Sequence, residues 1–118
     1  MLRQRGEVIM AVYERELSVS FKEVYDQLKE QLTNSRHLMQ LHEESSYTAK
    51  QMQVAVLIFE QKLHRSNKTT VTVTIAGDDN KTWVSVIGSK FPNSIMVKTG
   101  FELEENGMQI VTDLLRKF

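Results

Sequence analysis

Between Thr70 and Ile75 polar and apolar residues alternate: Thr70, Thr72 and Thr74 against Val71, Val73 and Ile75. Gly77, Asp78, Asp79 and Asn80 follow, and alternation resumes with Trp83 and Ile87 against Val84 and Val86. Side chains on a strand point to alternate faces, so two such runs about a Gly/Asp/Asn turn predict a β-hairpin. Met52 to Lys62 predicts another strand, apolar on both faces: Met52, Val54, Val56 and Ile58 on one, Ala55, Leu57 and Phe59 on the other. Such a strand belongs in the middle of a sheet.

The remaining segments complete the order. Ala11 to Val19 predicts a first strand with Ala11, Tyr13, Leu17 and Val19 on one face and Arg15 as the polar exception. Ser20 and Glu23 have capping-box spacing, and Phe21, Val24, Tyr25, Leu28 and Leu32 recur on one helical face. His37 to Glu44 predicts a strand of weaker alternation, with Ser45 and Ser46 marking a turn or a bend in a longer strand. Ser89 to Ser94 contains Pro92 and predicts a loop, and Ile95 to Val97 a short strand. A last helix carries Leu103, Gly107, Ile110, Val111, Leu114 and Phe118 on one face. It starts either at a capping box of Thr99 and Glu102, with Gly107 marking close approach to the sheet, or near Gly107 after a loop over 100–106. The expected fold is α+β: a curved antiparallel sheet of four to six strands, two helices on one face, order β-α-β-β-β-β-α.

Length and composition narrow the functions. The 118 residues suffice for one domain. Lys plus Arg and Asp plus Glu are 15 each, and this zero net charge lowers the expectation of nucleic-acid binding. Such binding would need Lys50, Lys62, Arg65, Lys68 and Lys81 on one surface. The absence of Cys removes disulfides, thiol nucleophiles and thiolate metal sites. The longest apolar run, Val54 to Phe59, is too short to span a bilayer, and a cytoplasmic location is expected. Residues 1–9 read in two ways. Arg5 to Met10 can be encoded by a purine-rich stretch resembling a bacterial ribosome-binding site before an ATG, which makes Met10 the start and residues 1–9 a translated leader. They read equally as an N-terminal arm to a domain over 10–118.

Catalytic signatures are sparse. His37 and His42 are five apart, which on one strand sends them to opposite faces, and His64 stands in a polar connection. No phosphate-cradling glycine loop occurs. Asp78, Asp79 and Asn80 are better explained by turn chemistry than by a cation needing about six oxygen ligands. The expectation is no enzyme, no metal and no cofactor.

The order of elements looks like the β-α-β4-α arrangement of TATA-box-binding-protein half-domains, a likeness of topology that implies no activity. The Tyr13 to Val19 strand entering the Ser20-Phe21 helix, the Met52 to Phe59 strand and the threonine-rich hairpin resemble a group of small bacterial proteins sharing a domain of unknown function.

Two helices on one side cannot cover strands that are apolar on both, and an uncovered apolar face marks a partner surface. The expected function is therefore protein interaction through the sheet face, with a second copy or another protein. Leu57, Phe59, Thr70, Thr72, Thr74, Trp83 and Ile87 are the expected contacts. The alternative is a carrier of a small apolar molecule between helix and sheet, lined by Met39, Met52, Met96, Met108, Phe59 and Trp83.

Overall fold

The computed structural model describes residues 9–34, 39–62, 68–90 and 107–118. Five strands, β1 (Ile9–Leu17), β2 (Met39–Ala49), β3 (Met52–Lys62), β4 (Lys68–Gly77) and β5 (Thr82–Lys90), form one antiparallel sheet in the order β1-β5-β4-β3-β2. Two helices, α1 (Phe21–Leu32) and α2 (Gly107–Leu115), lie on one face of it. The chain is thus α+β in the expected element order, and the sheet is open. β1 and β2 occupy opposite edges; α1 carries the chain between them, and the β2–β5 meander returns it to β1.

Local chemistry sets the ends of α1. Ser20 has extended backbone (φ −67°, ψ 153°), and its hydroxyl accepts the Glu23 N–H at 3.2 Å. The Phe21 N–H, an orphan of the first turn, donates to the Asp78 carbonyl at 2.8 Å. The Thr82 hydroxyl donates to the Val19 carbonyl at 2.6 Å. The β4–β5 turn therefore pins the helix start. Asp78 shapes that turn by accepting the N–H groups of Asn80 (2.8 Å) and Lys81 (3.0 Å), which hold its carboxyl below the usual range.

The core lies between helices and sheet. Val24, Leu28 and Leu32 of α1 and Met108, Ile110, Val111 and Leu115 of α2 meet Leu57, Phe59, Val71, Val73, Ile75, Val84 and Val86. Gly88 lets α2 approach: a Cβ there would sit 2.8 Å from Met108 Cγ. The polar exception of β1 also finds its reason. Arg15 donates to the Leu115 carbonyl at 3.0 Å, placing its charge at the negative end of α2.

Three boundaries differ from expectation. β1 ends at Leu17, because Val19 turns to meet Thr82. β2 runs through Ser45 and Ser46 to Ala49, absorbing an irregularity between Leu41 and Glu43 as a register shift. It closes on β3 through Lys50 and Gln51, with Lys50 at φ 56°. β5 continues through Ser89 and Lys90, because both pair with β1. The expected Ile95 to Val97 strand, the Thr99–Glu102 cap, and His37 and His64 lie outside the described residues.

Candidate interaction surface

Strand alternation and register define the face away from the helices. Across it, one row runs Val12, Ile87, Thr72, Ile58, Glu43 from β1 to β2. The next row runs Glu14, Ser85, Thr74, Val56, Ser45, and a third Glu16, Trp83, Ala76, Val54, Tyr47. Apolar side chains of β3 and β5 flank the Thr72, Thr74 and Ala76 column of β4, and the edge strands mix Glu14, Glu16 and Glu43 with Val12, Ser45 and Tyr47.

Exposure follows the layout. Val12 is 62% exposed, Tyr47 68%, Ile87 41% and Trp83 40%, high values for large apolar side chains. Thr70 is exposed, and Thr72, Thr74, Val54, Val56 and Ile58 are half-buried by their neighbours in the sheet. At the rims Lys81 pairs with Glu16 at 3.4 Å, and His42 stands 3.9 Å from Glu60.

Of the expected contact residues, Trp83, Ile87, Thr70, Thr72 and Thr74 share this face. Leu57 and Phe59 do not: both are fully buried beneath the helices. Register gives the reason. Phe59 pairs with Val71 and Leu57 with Val73, on the covered side, whereas Trp83 pairs with Ala76 and Ala76 with Val54. The β3 residues beside the tryptophan are thus Val54, Val56 and Ile58, one position off, and a shift of one exchanges faces. Their signal was the second apolar set of β3. Val12 was missed because its pairing with Ile87 spans most of the chain.

A second cluster ties α1 to the edge of the sheet on the helix side. Tyr25 donates its phenol proton to Glu44, and Lys29 donates to Glu44 at 2.9 Å and to the Tyr25 oxygen at 3.1 Å. Phe21 stacks on Tyr25, centroids 5.7 Å apart. The hydrogen bond from Tyr25, then that from Lys29, holds the Glu44 carboxyl below its ordinary range. The phenol is pushed up, chiefly by its hydrogen bond to the Glu44 carboxylate, so it keeps its proton at neutral pH. The three groups satisfy one another, and their arrangement is that of a clip.

Among the described residues no three His, Cys, Asp or Glu side chains converge as a metal site. No helix among them is long and apolar enough to cross a membrane. Of the basic residues that nucleic-acid binding would need, Lys50 and Lys81 sit in turns at one end of the sheet, the backbones of Lys62 and Lys68 pair at the other, and Arg65 lies outside the described residues. Of the residues expected to line a carrier site, Met108 packs at Gly88, and an open hollow of about 240 Å³ lies where Phe21 and Tyr25 of α1 meet β2 and β3.

No curated protein and no solved structure matches the chain, so the likeness to TATA-box-binding-protein half-domains rests on element order alone. Residues 10–118 match DUF6054, a family of unknown function, and the chain belongs to that family.

Proposed function

We propose that this domain is a non-enzymatic interaction module that self-associates through the open face of its sheet. The observation that carries the proposal is the set of apolar side chains on the face opposite both helices, Val12, Ile87 and Trp83 on one side of the β4 threonines and Val54, Val56 and Ile58 on the other. Removing that surface from water is favourable by about 25 cal/mol per Å². The threonine row of β4 supports the same reading. It keeps the free face compatible with water while presenting methyl groups to a partner.

Sedimentation velocity over a concentration series tests it. The expected result is a dimer whose dissociation constant rises at least about 30-fold on Trp83→Glu, equivalent to roughly 2 kcal/mol. Circular dichroism checks that the variant remains folded. A protein that stays monomeric at high concentration, and whose sedimentation Trp83→Glu leaves unchanged, overturns the proposal.

A further inference from the structure

We infer that the occupant of the open face is a second copy related by a two-fold axis lying along β4, so that each threonine row stacks on its mate and the two sheets form a sandwich. This rests on the self-association reading and adds its geometry.

The size of the face suits a second copy. Five strands about 4.8 Å apart and about eight residues long cover roughly 600 Å² in plane. A stable interface buries roughly 800 Å² per partner, an area of the same order. A symmetric dimer needs a self-complementary patch, and a two-fold axis within the plane of this face has two simple orientations.

An axis along β4 exchanges the two sides of the sheet and keeps each row on itself. Trp83 then faces Val54 of the second copy, Ile87 faces Ile58, and Thr72 and Thr74 face their own mates. The largest side chain meets a small one, as close packing favours. Acids meet no acids: Glu14 faces Ser45, Glu16 faces Tyr47 and Glu43 faces Val12.

An axis across the strands, through the Ser85–Thr74 row, keeps each strand on itself instead. It sets Glu14 on Glu14, a like-charge contact at a desolvating rim. It also places Trp83 on Ile87, twice, while Ser85 meets Ser85. Charge and size therefore select the first orientation. The aligned packing of two twisted sheets, about 30° apart, preserves these neighbours near the centre.

The absence of cysteine makes the test direct. Glu14 and Ser45 are exposed rim positions in one row, on opposite edges of the sheet. Under the proposed axis each lies over the other's position in the second copy, and roughly 22 Å from its own mate, four strand spacings across and one sheet spacing away. Glu14→Cys and Ser45→Cys proteins are prepared singly, mixed or kept separate, and treated with a short-spacer bismaleimide. Their sedimentation is measured in parallel. The mixture is expected to give about tenfold more cross-linked dimer than either protein alone, through the high effective concentration of the facing thiols. Dimers in which each variant cross-links with itself overturn the proposed axis in favour of the crossing one. Dimers that sediment as such but never cross-link overturn it as well. A monomer by sedimentation, for the unsubstituted chain, instead overturns the self-association reading on which it rests.

Discussion

Strand β3 presents Leu57 and Phe59 to one side and Val56 and Ile58 to the other, in one alternating run. The first pair is fully buried under the helices; the second is half-buried on a face that no described helix covers. The neighbouring strands repeat the difference with different chemistry. β4 sets Val71, Val73 and Ile75 against threonines, and β5 sets Val84 and Val86 against Trp83, Ser85 and Ile87. The centre of one face is thus apolar throughout, the other a mixture of aliphatic, aromatic and hydroxyl groups. Large apolar side chains left exposed in a mixed patch suit a surface that meets a partner, the reading proposed above.

The largest test of this contrast compares adjacent residues. Phe59→Ala is expected to cost about 3–5 kcal/mol in chemical denaturation, because it opens a cavity between helix and sheet. Ile58→Ala is expected to cost about 1 kcal/mol or less in dilute solution. If the open face is covered on association, the second cost grows with protein concentration while the first does not, because binding stabilises only the associated native state. Equal costs at all concentrations would erase the distinction between the two faces.

Elements governed by local rules were legible in the sequence. The Ser20 cap, the stripe of α1 and the Asp78 turn each rest on interactions within a few residues. The sorting of β3 was not legible, because both its faces are apolar and the deciding pairing with β4 crosses the connection between Lys62 and Lys68. The role of Arg15 was likewise hidden: its partner, the Leu115 carbonyl, lies 100 residues away. The residues expected at the surface therefore share the open face on β4 and β5, where one turn fixes the register, whereas those expected on β3 lie on the covered one. The Tyr25–Lys29–Glu44 clip went unnoticed for the same reason, since only Tyr25 and Lys29 are helical neighbours.

The two glycines on the covered face sharpen the contrast at smaller scale. A Cβ at position 77 would lie 2.4 Å from the Lys81 carbonyl oxygen and 2.8 Å from Thr82 Cα, both backbone atoms of the turn that holds α1. Gly77→Ala is expected to destabilise by about 1–3 kcal/mol, since the turn itself must shift. At position 88 the nearest atoms belong to the flexible Met108 side chain, which has other rotamers available. Gly88→Ala is expected to cost less than Gly77→Ala in the same thermal or urea unfolding series. The reverse order would mean that α2 packs against β5 more rigidly than the helix start packs against its turn.

The smallest effect lies where the helix-facing side ceases to be core. Along β2 that side starts with Met39 and Leu41 against the core, but beyond the register shift it carries Glu44, Ser46 and Thr48, all exposed, and Glu44 is held by Tyr25 and Lys29 in place of aliphatic packing. Folding depresses the Glu44 carboxyl below its ordinary 4.5, so its contribution is present above that value and disappears as pH falls through the lower folded one. The Lys29 side chain is 38% exposed and that of Glu44 26%, and solvent screens the pair, limiting the contribution to about 1 kcal/mol. Urea denaturation of the unsubstituted chain and of Glu44→Gln should therefore differ by no more than about that amount near neutral pH, and the two should converge in acid as the carboxyl becomes neutral. A difference that persists unchanged into acid would show that the clip acts through shape and neutral hydrogen bonds. A difference of several kcal/mol at neutral pH would show that the β2 edge belongs to the cooperative core after all, and that the boundary between covered and open surface lies one strand further out.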